Sequence, residues 1–231
     1  MTLFLTSSPT LGRGGALNPA NGFADALCAA VRPDASALFV TSEPGDPAFT
    51  AAVSTALRTA LEGAGLRFST FAALGGGEGA EQAAKLVSAA DFIILSGGHV
   101  PTENRFFHAV QLRAAMQGFA GTVLGISAGS MNSAETVYAQ PELPGESIDP
   151  DYRRFLPGLG LTRKMLLPHY QETRGLTLDG RRLFEDITYP DSMGREFFAI
   201  PDGSYLFSAD GEERFFGTTY RIADGKAEQI Q

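Results

Sequence analysis

The chain has 231 residues, 44% of them hydrophobic and 19% charged, with a formal net charge of -8. That is the composition of an ordinary folded protein, long enough to bury a sizeable core. The acidic balance and the absence of a Lys/Arg run count against a nucleic-acid partner, because phosphate binding needs clustered cations.

The opening MTLFLTSSPT lacks both the basic flank and the apolar length of a signal peptide or membrane span, so a cytoplasmic protein without a membrane partner is expected. The lone Cys28 cannot close an internal disulfide, which fits a reducing compartment.

In chain order, short apolar runs alternate with amphipathic ones. Strands are expected at 3–8, 37–42, 66–71, 92–97 and 122–127, and helices at 23–31, 47–62, 81–90 and 104–117. Strand and helix alternating at this spacing predicts an α/β fold: a mostly parallel sheet with helices on both faces. Ligands of such sheets bind beyond the carboxyl ends of the strands, where SGG (96–98) and SAGS (127–130) fall. GGGEG (75–79) lacks the Lys-Ser/Thr ending of a phosphate-binding loop.

Past Ala139 a Pro/Gly-rich connection (141–160) leads to KMLLPHY, a helical stretch at 178–187 and EFFAIPDGSYLFSAD. The tail, 212–230, alternates around Asp224-Gly225 and predicts a C-terminal β-hairpin. No repeat and no composition shift divides the chain, so 1–231 is taken as one unit with 212–231 as its tail.

Gly125-Ile126-Ser127-Ala128-Gly129 satisfies the Gly-x-Ser-x-Gly pattern of a nucleophile elbow, following a buried strand and preceding a helix. Small neighbours let the chain bend sharply and raise the hydroxyl above the sheet edge. Such a serine needs a base. His108 falls within a helix and reads as a surface or packing residue, while His99 follows Gly97-Gly98 at a strand end and could line the cleft. His169, ending an apolar run after Pro168, is the better base. For the acid that orients the imidazole, Asp202 in AIPDGSY and Glu142 in AQPELPGE compete. The amides of Ala128 and of the Gly97-Gly98 turn are suited to an oxyanion hole. One cysteine and three scattered histidines form no ligand cluster, so neither a metal nor another cofactor is expected.

LSGGHVPTENRFF, GISAGSMNSAETVYAQPE, LLPHY and IPDGSY, in that order, resemble the peptidase E family of serine peptidases, with cyanophycinases as more distant relatives. The resemblance implies a three-layer sandwich of the class I glutamine amidotransferase type, with Ser127 as nucleophile, His169 as base, and Gly98 and Ala128 as oxyanion donors. The family's acid is typically a glutamate in Pro-Glu-Gly, a place occupied here by Asp202 in Pro-Asp-Gly. The substrate implied is a short peptide. The chain departs from the family in carrying His99 where asparagine is common, and in a shortened segment after His169 that leaves Arg174, Arg181 and Arg182 as candidates to clamp a substrate carboxylate. Strict Asp-X dipeptidase specificity is therefore not expected. The alternatives are an esterase or amidase using the same triad, or a binding protein that has lost turnover; a homodimer is left open.

Overall fold

A computed structural model describes residues 1–12 and 14–231. Five strands, β1 (Thr2–Thr6), β2 (Ala35–Val40), β3 (Phe68–Leu74), β4 (Phe92–Leu95) and β5 (Thr122–Ile126), pair in parallel in the order β1-β5-β4-β2-β3. Because side chains alternate across the pleat, each strand feeds two cores. Phe4, Phe39, Ile94 and Leu124 meet Phe23 and Leu27 of α1 (Phe23–Ala30) and Leu57 and Leu61 of α2 (Pro47–Gly63). Leu5, Leu38, Val40, Ile93 and Val123 meet the opposite layer, built from α3 (Ala80–Ala89), α4 (Val100–Ala109) and α5 (Leu112–Ala115). The local signals agree with this. Asp46 caps α2 by accepting the Phe49 amide at 2.9 Å, with Pro47 opening the helix.

The expected helix 104–117 is two helices. It starts earlier, at Val100, and breaks at Gln111, whose φ is +52°; the new direction buries Leu112 and Met116. Periodicity alone does not reveal such a break, since both pieces are amphipathic.

Beyond β5 come α6 (Ala128–Asn132), β6 (Thr136–Tyr138), β7 (Phe155–Pro157), β8 (Met165–Leu167), α7 (Tyr170–Thr173), β9 (Thr177–Leu178) and β10 (Arg181–Arg182). A π-helical turn at Leu183–Thr188 leads into α8 (Tyr189–Asp191), β11 (Glu196–Ala199), β12 (Tyr205–Ala209), β13 (Glu212–Phe216), β14 (Tyr220–Ala223) and β15 (Lys226–Gln229). The strands β12 and β13 extend the large sheet antiparallel beside β1, giving seven strands. A second sheet, β15-β14-β11-β8, packs nearby, with Leu166 and Phe198 joining the core on the α3–α5 face.

Two expectations for this half are corrected. The stretch 178–187 is not a helix: Asp179 (φ +50°) and Gly180 (φ +80°) turn a hairpin between β9 and β10, and only then does one π-helical turn follow. The tail is not one hairpin. β14 and β15 do turn at Asp224-Gly225, as expected. The stretch 212–216, however, pairs with β12 through Asp210-Gly211 and belongs to the large sheet. The three Asp-Gly pairs that turn these hairpins, 179–180, 210–211 and 224–225, have positive φ at both residues, the geometry that two-residue hairpins demand; the fourth, Asp202-Gly203, has it only at the glycine. Among the described residues, no helix is long and apolar enough to cross a membrane.

Candidate active site

The carboxyl edge of the large sheet gathers the predicted residues. Ser127 directly follows β5 and adopts φ +48°, ψ -111°, a strained conformation for a residue with a side chain. Its surroundings hold it there. The Thr6 carbonyl accepts the Ser127 amide at 3.0 Å and the Ser130 hydroxyl at 2.8 Å, and the Gly129 amide donates to Ser96 O at 2.9 Å. Backbone approach requires glycine at 129, and Gly125 is packed tightly as well. A Cβ on Gly125 would stand 2.7 Å from Leu5 Cδ2, and one on Gly129 only 2.4 Å from the Leu95 carbonyl oxygen.

The second sheet supplies the imidazole. β8 and β11 are parallel neighbours with Leu167 opposite Ala199, so His169 and Asp202, just past their ends, emerge side by side. From Asp202 the chain turns into β12, which runs antiparallel to β1 and therefore begins at the edge where β1 and β5 end. The result is a continuous chain of contacts. His169 Nε2 lies 2.9 Å from Ser127 Oγ, and His169 Nδ1 lies 2.8 Å from Asp202 Oδ1. Because an ionised carboxylate only accepts, Nδ1 carries the proton and Nε2 accepts from the serine hydroxyl. His169 sits at φ +56°, a second strained residue at the same edge.

Electrostatics reinforce the pairing. Burial disfavours protonation of His169, but the hydrogen bond and charge of Asp202, with Glu172 and Glu142 adding to them, outweigh it and raise its pKa above the usual value. Burial likewise disfavours ionised Asp202, yet hydrogen bonds from His169 and Ser7 hold its carboxyl below the ordinary range. The competing acid, Glu142, does not reach the imidazole by hydrogen bonding; the nearby Val100 amide favours its ionised form. Its residue is exposed to solvent, but the protein atoms packed near its carboxyl, and then Glu146, push that group up to about 7 against the opposing influence of the Val100 amide and His169.

Gly97 and Gly98 lie beside the elbow. A Cβ on Gly97 would stand 3.2 Å from Ser127 Cβ, and one on Gly98 would stand 2.4 Å from Ser42 Oγ and 3.6 Å from Glu43 Oε1. Ala128 opens α6, where a first-turn amide has no acceptor within its own helix. His99 does not reach Ser127 or His169 by hydrogen bonding. Its Nε2 lies 2.8 Å from Glu146 Oε1, and Glu146 Oε2 accepts the amides of Glu142 and Leu143, each at 2.9 Å, so His99 braces the loop that carries Glu142. Of the candidate clamps, Arg182 is committed to Asp186 through Nε at 3.1 Å, Nη2 at 2.6 Å and its own amide at 2.8 Å. Arg174 is exposed where α7 ends, and Arg181 is exposed on β10 beside Ser147 and Tyr152.

Sequence reasoning missed two participants. Ser7, fully buried at the end of β1, contacts both His169 and Asp202, and Gln171 Oε1 accepts the Asp202 amide at 3.0 Å. The signal for Ser7 was available: a serine at the carboxyl end of a buried apolar strand, at the same edge as the elbow. No group of three or more His, Cys, Asp or Glu among the described residues is placed to hold a metal ion.

No protein-family profile matches the sequence, and no curated protein matches it. The fold does have solved counterparts. A peptidase from an acI-B1 Actinobacterium superposes with a TM-score of 0.64 at 18% identity, covering 100% of this chain and 93% of that one. A protein of Listeria monocytogenes EGD-e described as a candidate peptidase E superposes with a TM-score of 0.62 at 18% identity, covering 93% of this chain and 96% of that one. The chain is thus an α/β protein with the peptidase E-like fold, central sheet and flanking helices included.

Proposed function

We propose that the protein is a serine peptidase that hydrolyses short peptides by acyl transfer through Ser127, His169 and Asp202. The observation that carries this is the unbroken contact chain Ser127 Oγ–His169 Nε2–Asp202 Oδ1, at 2.9 and 2.8 Å, raised on a strained elbow at the sheet edge. Strain of this kind persists only where surrounding structure enforces it, and it clusters at reacting sites. The peptidase names of the two structural counterparts point the same way.

In this mechanism Ser127 Oγ attacks the scissile carbonyl while His169 Nε2 takes the hydroxyl proton. Negative charge on the tetrahedral oxygen is met by the amides of Gly98 and Ala128. His169 then hands its proton to the departing amine, leaving an acyl ester on Ser127. Water, deprotonated by the same nitrogen, releases the acid and restores the serine. Asp202 keeps the proton on Nδ1 throughout and stabilises the imidazolium, without itself becoming protonated.

The surroundings argue against an acidic residue on the acyl side of the scissile bond. Glu43 stands beside Gly98, Glu142 acts on the charge of His169, and the bidentate cation such a residue requires is not offered by Arg182, which Asp186 already holds. The test is labelling with a fluorophosphonate probe, followed by hydrolysis of a peptide panel. Labelling at Ser127 that vanishes in Ser127→Ala, together with cleavage of short peptides, is expected. A purified protein that labels nowhere, or that cleaves esters and no peptide, would refute the assignment.

A further inference from the structure

We propose that Ser7 is a positioning residue, resting on the triad assigned above, whose hydroxyl fixes Asp202 and His169 relative to each other so that the imidazole faces Ser127. The side chain is fully buried where β1 ends, between β5, which leads to Ser127, and β12, which follows Asp202. Its oxygen accepts the His169 amide at 2.8 Å and its proton is donated to Asp202 Oδ1 at 2.5 Å; it also lies 3.3 Å from His169 Nδ1.

The direction of these bonds is determined. The His169 amide can only donate and an ionised carboxylate can only accept, so the single hydroxyl proton is committed to Asp202. Ser7 thereby joins the backbone of the base to the side chain of the acid. Both ends need it. His169 holds a left-handed backbone conformation, and the Asp202 side chain is 36% exposed, free on its solvent side to rotate away.

Besides Ser127, the groups that face the imidazole come from four elements. These are Asp202 before β12, Glu172 on α7, Glu142 in the loop after β6, and neutral Ser7 from β1. Gln171 holds the Asp202 backbone and also favours its ionised carboxylate, but from the solvent side, whereas Ser7 grips it from the buried side. Without Ser7 the carboxylate loses the buried donor that ties it to the His169 backbone, and burial of the imidazole is opposed less effectively.

The experiment compares Ser7→Ala and Ser7→Cys with the wild-type chain in two measurements. One is the rate of fluorophosphonate labelling against pH. The other is the NMR titration of the His169 ring, assigned among three histidines with His99→Gln and His108→Gln. Cysteine nearly preserves the volume but is a weak donor. The expected result is that both variants stay folded, His169 titrates at lower pH in both, and labelling slows about 10- to 100-fold, as for a lost hydrogen bond to a charged group. If Ser7→Cys keeps wild-type labelling and titration while Ser7→Ala only melts earlier, the residue merely fills space and the proposal is overturned. An unchanged His169 titration in Ser7→Ala overturns it as well. Should the wild-type chain not label while the titration still moves in both variants, the positioning role stands and the hydrolase assignment fails.

Discussion

Replacing Asp202 with asparagine removes one charge from the contact chain while keeping its shape. Two unit charges about 4 Å apart attract by about 4 kcal/mol at an effective dielectric near 20. The two side chains are 32% and 36% exposed, so solvent screens a good part of this; halving it leaves about 2 kcal/mol. Imidazolium forms in the transition state and not in the resting enzyme, so the loss falls on the rate: about 30-fold for 2 kcal/mol and approaching 1,000-fold for 4 kcal/mol. The amide of asparagine can also donate to Nδ1, which would favour the tautomer with its proton on Nε2 and push the loss toward the upper figure. The same substitution leaves burial of His169 opposed only by Glu172 and Glu142, so its pKa should drop and the acid limb of the residual activity should move to lower pH. The assay is the second-order rate of fluorophosphonate labelling across pH, alongside Glu142→Gln and a melting curve for each variant. If Asp202→Asn labels within about threefold of wild type at a pH near 7, while Glu142→Gln is silenced in a folded protein, the acid has been misassigned.

Glu103→Gln should be tolerated and should become relatively stabilising as pH rises. Glu103 is fully buried on α4, receives the Asn132 amide at 2.9 Å, and burial holds its carboxyl well above the ordinary range. A raised folded-state pKa means that wild-type stability is greatest below the unfolded value and falls as pH climbs, by about 1.4 kcal/mol per unit until the folded group itself ionises. The melting-temperature gap between variant and wild type should therefore widen from pH 5 to pH 8; a constant gap would show that Glu103 is ionised in the fold. In the tail, ending the chain after Gly225 removes exposed β15 and the two backbone bonds that Ile230 and Gln231 make to Thr219, and should lower the melting temperature modestly while sparing labelling. Ending it after Asp210 strips β13 from the large sheet and β14 from β11, exposes the site of fully buried Ile222, and should abolish cooperative unfolding measured by circular dichroism. Finally, kcat/KM for Asp-Leu should not exceed that for Ala-Leu, and Arg182→Ala should leave the ratio unchanged. A clear Asp-Leu preference lost in Arg182→Ala would mean that Asp186 releases the guanidinium to substrate.

The amino-acid order alone specified the parallel half of the molecule. Buried parallel strands read as unbroken apolar runs, and the intervening helices carry a 3.6-residue apolar stripe, so β1 to β5 and their helices, the break at Gln111 excepted, are written in local pattern. Ser127 was legible for the same reason, because an elbow is a local device whose small residues are demanded by contacts within a few ångströms. The second half was less so. Its strands are two to five residues long, and in the sequence its Asp-Gly pairs look alike whether they join two strands of one sheet or lie between sheets. Whether 212–216 folds back on β12 or forward onto 220–229 depends on which edge is open, and that is a property of the assembled sheets. Neither acid candidate could be chosen from spacing. Asp202 lies 33 residues from His169, and only the parallel pairing of β8 with β11 sets them adjacent. Arg182 looked available until the π-helical turn brought Asp186 under it, and Ser7 looked like a strand ending until a second sheet docked His169 against it. Local sequence encodes conformations whose energies are settled within a turn or a strand. The partners of a hydroxyl, a carboxylate or a guanidinium are chosen only when distant segments are packed together.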